Sequence, residues 1–172
     1  VVVKTPFYCR DSTSWFLKWR AIFVSLIQFR INQKRNTMSK KIFINLPVTD
    51  LQKSMNFYTA IGLTNNPQFT DQTAACMVLS EEIFVMLLSH PKFKEFITKE
   101  IGNAHTSTSV INSLSVDSVD EVNDMAEKAI KAGGKEAGEA KDYGFMQQRS
   151  FEDPDGHLWE VLYMDMTKMP RE

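Results

Sequence analysis

The sequence predicts an α+β fold built from two β-α-β-β-β modules, and three observations predict it. The order of one strand, one helix and three strands can be read twice, at about residues 41–90 and 109–164. Each helical stripe is preceded by a capping-box pattern, Thr49-Asp50-Leu51-Gln52 in the first module and Ser118-Val119-Asp120-Glu121 in the second. Each stripe is then closed by glycine, Gly62 in the first and Gly133-Gly134 in the second. Two small sheets, each covered on one face by a helix, leave a second face in need of cover. Set against each other, those faces would enclose a cleft.

The elements follow in order. The run from Ile42 to Val48 is a short strand interrupted by Asn45 and Pro47. Leu51, Met55 and Tyr58 recur at i, i+4 and i+7, one apolar face of a helix. Strands are expected at 65–70, 74–79 and 83–89, the last two joined by the polar break Ser80-Glu81-Glu82. A linker runs from Phe93 to Ser109. The second module has a strand at 109–116, a helical stripe of Val119, Val122, Met125, Ala126, Ala129 and Ile130, and strands at 135–140, 144–150 and 157–164. The last two strands hinge on the turn Asp153-Pro154-Asp155-Gly156.

Charge divides the chain unevenly. Residues 1–37 carry seven Lys or Arg against one Asp, which leaves 13 basic and 20 acidic residues in 38–172. We read 1–37 as an N-terminal extension foreign to the rest, with a loosely packed basic amphipathic helix or a membrane-surface anchor as alternatives. Its apolar stretch is shorter than the roughly 20 residues a membrane span needs. The working domain is placed at 39–165, followed by a tail at 166–172. An acidic body argues against nucleic acid, whose phosphates dominate such affinity, and no membrane association is expected for 38–172. Cys9 and Cys76 form no metal-spaced pair or disulfide scaffold, which fits a reducing cytoplasm.

Glu160 is the residue most in need of a partner. It interrupts the apolar run Leu158 to Tyr163, and a buried charge costs several kcal/mol unless paired, protonated or metal-bound. Strand alternation places Leu158, Glu160 and Leu162 on one face and the bulkier Trp159, Val161 and Tyr163 on the other. The bulky set suits the helix-packed side and turns Glu160 toward the cleft. By the same alternation Ile42, Ile44 and Leu46 face the helix, and Phe43 and Asn45 face the cleft. Asn112 shares a face with Leu114, and as a polar group it needs partners if buried. Phe145, Gln147 and Arg149 share a face; if it is the inner one, Gln147 or Arg149 reaches Glu160. Met86 would give the cleft a soft wall. Tyr143, beside Gly144, reads first as a packing or loop residue, with closure over the cleft as the ligand-binding alternative. His90 reads as a surface residue at a helix start, and His105 as exposed in the linker. His157 reads as an exposed imidazole in a turn, and Cys76 as buried filler rather than a nucleophile.

These residues carry a resemblance. The stretch Asn45 to Tyr58 and the closing motif Phe151-Glu152-Asp153-Pro154-Asp155-Gly156-His157-Leu158-Trp159-Glu160 resemble the vicinal oxygen chelate superfamily. That group includes glyoxalase I, extradiol dioxygenases, and bleomycin and fosfomycin resistance proteins. The resemblance covers about residues 41–164. It implies two β-α-β-β-β modules forming an open sheet cup around a ligand site, and it implies a homodimer. In the family's enzymes a divalent metal is held by His or Glu from the first and last strands of each module. Carried onto this chain, those positions fall at Phe43, at Val85, Met86 or Leu87, near Ile111 or Asn112, and at Glu160. Glu160 alone is a strong ligand, with His90 a remote addition, whereas a divalent ion wants three or more N or O donors.

The function expected from the sequence is therefore a glyoxalase- or bleomycin-resistance-like small-molecule binding protein without the family's usual metal centre. Its ligand is expected to be neutral or cationic with an apolar or aromatic part, bound by Phe43, Asn45, Met86, Asn112, Tyr143, Phe145, Gln147, Arg149 and Glu160. No cofactor is expected, a divalent metal being the exception. Two alternatives stand beside this. One is a metal-dependent lyase, isomerase or dioxygenase with atypical ligands, in which Glu160 moves a proton. The other is a non-catalytic interaction domain whose cleft is filled by its own side chains.

Overall fold

Strand β1 (Ile42–Val48) leads into helix α1 (Leu51–Ala60), then β2 (Thr64–Asn66), β3 (Ala74–Val78) and β4 (Ile83–Ser89). A short helix α2 (His90–Lys94) begins the linker. The order then repeats with β5 (Asn112–Ser115), α3 (Val119–Lys131), β6 (Lys135–Glu136), β7 (Lys141–Asp142), β8 (Met146–Glu152) and β9 (Leu158–Met164). The computed structural model describes residues 40–170. The reading of residues 1–37 lies outside that range, as do the last two residues of the tail. No helix among the described residues is long and apolar enough to cross a membrane.

The two sheets have matching topology. The first runs β1-β4-β3-β2 and the second β5-β9-β8-β6, with β7 also paired to β8. The outer pairs β1–β4 and β5–β9 are parallel, and the remaining pairs are antiparallel. Several expected strands are shorter than the sequence indicated. The segment 65–70 gives way after Asn66 to a single 3-10 turn, where the Asn66 side chain accepts from Gln68 N and Pro67 occupies the first turn. The segment 135–140 pairs only over Lys135–Glu136, and an unexpected pair forms at Lys141–Asp142.

Ser118 caps the second long helix as expected, with Glu121 N donating to Ser118 Oγ at 3.2 Å, while the Glu121 carboxylate accepts from Asp117 N at 3.1 Å in place of Ser118 N. The first cap is shifted by one residue. Asp50, not Thr49, caps α1, its Oδ1 accepting from Lys53 N at 3.0 Å. The Thr49 backbone N–H and hydroxyl both donate to Asp155 Oδ1 instead, at 2.8 and 2.6 Å. A carboxylate from the second module thus takes the side chain that local sequence would assign to the cap.

One core serves both modules. Val85, Leu87, Ala75 and Met77 of the first sheet pack with Phe57, Tyr58 and Ile61 of α1, and the same cluster takes in Leu114, Phe151, Trp159 and Val161 of the second sheet. Phe57 lies 6.1 Å from the Phe151 ring, and Tyr58 meets Trp159 edge-on at 5.8 Å. Burying aromatics of this size dominates core energetics. Closure here depends on Gly134, where a Cβ would come within 2.6 Å of Glu152 O and 2.8 Å of Phe57 Cε2. The sheets therefore turn their helix-covered faces to a shared interior, and their other faces point away from it.

Candidate functional site

The outer face of the first sheet is an aromatic floor. Register sets Phe43 beside Phe84 and Asn45 beside Met86, with Cys76 beyond Met86 on β3. The Phe43 and Phe84 rings stack at 4.8 Å with planes 13° apart, and the Lys41 ammonium lies 5.2 Å over Phe84. These residues, with Asn66 and Phe69, line a cavity of about 500 Å³, within the size range of small-ligand pockets. Burial pushes the Cys76 thiol above its ordinary range, so it is a wall group rather than a ready nucleophile. Alternation had pointed to Phe43 and Asn45, and Met86 was expected as a soft wall; the structure brings the three together on one face.

Glu160 lies on the outer face of the second sheet, half-buried. Its Oε2 accepts from the Ser113 hydroxyl at 2.9 Å and its Oε1 from the Gln148 amide at 3.1 Å. Ser113 sits opposite on β5 and Ser150 opposite on β8. The carboxylate is therefore held by neutral donors, which stabilise its charge without cancelling it. That leaves a fixed negative centre on a face that also carries Lys141, beside Gln148, and Glu152, opposite Leu158.

Several expected site residues lie elsewhere. Gln147 and Arg149 are opposite Tyr163 and Val161, on the helix-covered side of β8. Arg149 donates to Glu136 at 2.7 Å rather than to Glu160, and Gln147 donates to Asp142. Phe145 shares their parity. Asn112 sits opposite Trp159, and its amide donates weakly to Leu158 O at 3.4 Å, so Ser113 takes the place assigned to it. Tyr143 is exposed at the turn between β7 and β8, opposite Met146, whose parity on β8 is that of the Glu160 face. The signal for the correct faces was present: Phe151 has the parity of Gln147 and Arg149, Leu114 has the parity of Asn112, and both apolar residues are buried in the core.

The closing motif does more than turn the chain. Asp153 is almost fully buried and accepts from the Tyr58 hydroxyl at 2.6 Å, from the backbone N–H of Asp155 and His157, and faces His157 Nδ1 at 2.9 Å. Trp159 Nε1 donates in turn to the Tyr58 hydroxyl at 3.1 Å. Burial works to raise the Asp153 pKa, but the bonds from His157 and Tyr58 outweigh it and hold the carboxyl below its usual range. Burial first, and the Asp153 charge second, push the Tyr58 phenol well above its ordinary value. His157 is not the exposed imidazole that its turn position implied: its side chain is only 12% exposed and is ordered by Asp153.

These donor sets do not fit a divalent metal. Both Glu160 oxygens receive hydrogen bonds from groups that donate, and its neighbours Ser113, Gln148 and Ser150 are neutral. At the other positions that the resemblance assigns to ligands, Phe43 and Met86 face outward, while Val85 and Leu87 lie in the core. His90 is at the start of α2, outside the aromatic cavity. Among the described residues no group of three or more His, Cys, Asp or Glu could hold a metal ion.

Comparison with known proteins agrees with this architecture. The family model described as Glyoxalase/Bleomycin resistance protein/Dioxygenase superfamily matches residues 42–161. A solved structure of the hypothetical protein SA1046 from S. aureus is 27% identical, with a TM-score of 0.62 over 76% of this chain and 98% of that one. A glyoxalase-related enzyme from Fulvimarina pelagi aligns with a TM-score of 0.62 at 20% identity, over 74% and 88% of the two chains. A genomically encoded fosfomycin resistance protein from Listeria monocytogenes aligns at 0.54 and 18% identity, over 79% and 96%. No curated protein matches the chain significantly. With two β-α-β-β-β modules, matching sheets and a family match across both, the chain belongs to the glyoxalase/bleomycin resistance protein/dioxygenase superfamily.

Proposed function

We propose that this protein binds a small neutral or cationic molecule with an aromatic part, without a divalent metal, in the cytoplasm. The observation that carries the reading is the stacked Phe43–Phe84 pair over a cavity of about 500 Å³. An exposed aromatic face of this kind favours flat apolar groups and cations, and Lys41 already rests over it. The free, buried Cys76 fits a reducing compartment.

Glu160 supplies the complementary charge in this reading, across a homodimer. The outer faces of the two sheets point away from their shared core, so a second copy must stack its Glu160 face over the Phe43 face to close a cup. Calorimetric titration of metal-stripped protein with small aromatic amines, alongside light scattering for mass, tests both parts. Saturable binding by a dimer is expected, weakened about tenfold by Phe84→Ala and by Glu160→Gln. Stoichiometric Zn, Ni, Fe or Mn that resists dialysis and is lost in Glu160→Ala would overturn the metal-free reading. A monomer that binds fully would overturn the shared cup.

A further inference from the structure

Asn45 belongs to two cavities. It is a wall of the cavity over Phe43 and Phe84, and also of a second cavity of about 360 Å³. Strand β1 runs from one to the other: Phe43 and Asn45 border the first, and Asn45 and Pro47, on the same face, border the second. From Phe43 to Pro47 the strand rises about 13 Å, at roughly 3.3 Å per residue. Ile44 and Leu46, of the opposite parity, also border the second cavity. It therefore opens on the free edge of β1, the strand that ends its sheet.

The walls of the second cavity suit an apolar chain. Ile44 and Leu46 are joined there by Phe93 of α2, Ile101 in the linker, Val110 ahead of β5 and Leu158 at the start of β9. Among the described residues no lysine or arginine lines it, and its one carboxylate, Glu100, is paired with Lys94. Its other polar side chains are largely engaged. Asn45 Nδ2 donates to Phe43 O at 3.3 Å, and Asn112 Nδ2 to Leu158 O at 3.4 Å. Ser107 Oγ donates to Asn103 O at 3.2 Å, and His157 Nδ1 faces Asp153. Pro47 brings no N–H to the edge. Thr108 and Ser109 remain, both exposed in the linker. A charged group entering here would give up water without a partner, whereas a hydrocarbon would gain by leaving water.

We infer, resting on the reading of the aromatic cavity proposed above, that its ligand is an alkyl-aromatic amine. The ring lies on Phe43 and Phe84, and the alkyl chain runs along β1 past Asn45 to Leu158. The linker between the modules is thus a wall of the ligand site, and Asn45 marks where ring gives way to chain.

Benzylamine, para-butylbenzylamine and para-octylbenzylamine are the probes, titrated calorimetrically into the full chain. Each methylene taken from water should tighten binding about twofold to fourfold, so the octyl compound is expected to bind at least about thirtyfold more tightly than benzylamine. The double variant Ile101→Asn/Val110→Asn changes two positions outside helix and strand. It should lose about tenfold or more of that gain and leave benzylamine affinity unchanged, with unchanged circular dichroism. Phe84→Ala should weaken all three compounds. Benzylamine binding with no gain along the series, or an equal gain in the double variant, would overturn the tail site alone. Octyl affinity unmoved by Phe84→Ala would show that chain and ring do not share one site, and would overturn it too. Failure of all three to bind would overturn the aromatic-cavity reading, and the tail site with it.

Discussion

The Tyr58 hydroxyl donates to the buried Asp153 carboxylate at 2.6 Å, tying the helix of the first module to the closing turn of the second. Trp159 completes the chain by donating to the same hydroxyl. The Asp-Pro-Asp-Gly turn is therefore an anchor between modules: Asp153 holds Tyr58, and Asp155 holds Thr49 and Ser54.

Replacing Tyr58 by Phe removes one donor from a buried carboxylate and one acceptor from a buried indole. Leaving buried polar groups unsatisfied costs roughly 1–3 kcal/mol each. Urea unfolding of Tyr58→Phe should show a loss in that range or above; a midpoint within error of the parent would deny the link any energetic role.

Acid sensitivity should trace to Asp153. Its folded pKa is depressed, so its contribution is fully present above the ordinary aspartate value of about 3.9. It is lost as pH falls through the lower folded value. Parent protein should lose stability progressively below about pH 4, and Asp153→Asn, already less stable at neutral pH, should show a shallower slope. Equal slopes in the two proteins would contradict this.

Gly134→Ala should destabilise by about 1–3 kcal/mol, because its Cβ would press on two backbone oxygens, of Glu152 and Ala129, as well as on Phe57. Thermal unfolding measures it. A neutral effect would mean that α1 and α3 can part without cost.

Glu160→Gln should separate binding from stability. Ser113 and Gln148 keep a polar neighbour, so the cost to folding should stay near or below about 1 kcal/mol. Affinity for aromatic amines should fall about tenfold. A large loss of stability with unchanged affinity would make Glu160 a structural residue.

Arg149→Ala offers the converse check. Arg149 pairs with Glu136 on the helix side of the second sheet, where Glu136 is half-exposed, and such pairs contribute about 0–1 kcal/mol. Ligand affinity should not change. A marked loss of affinity would place Arg149 functionally beside Glu160, where the structure does not put it.

Local rules carried much of the fold. The doubled element order, the Ser118 cap and the glycine stops were legible because each depends on a few neighbouring residues. Phe43 and Asn45 were legible as one face because strand parity is local too, whereas the register that sets Met86 beside Asn45 is not. The short edge strands were not, since pairing over Lys135–Glu136 or Lys141–Asp142 depends on where β8 passes.

The candidate site was legible only in part. Glu160 stands out in sequence as a charge in an apolar run, but its partners belong to other strands. A side-chain period of two means that the wrong face reverses every assignment on a strand. Placing Arg149 and Gln147 on the face of Glu160 was such a reversal, and the burial of Phe151 against Phe57 decides it.

By itself the sequence determined the modules, their helices, and the family to which the chain belongs, because capping, periodicity and motif spacing act over a few residues. Only the tertiary structure decided which faces point outward, that Thr49 answers to Asp155, and that Asn45 borders two cavities. Those depend on how one aromatic core, closed around Tyr58 and Trp159, packs two modules together. That packing energy is summed over the whole chain and belongs to no segment of it.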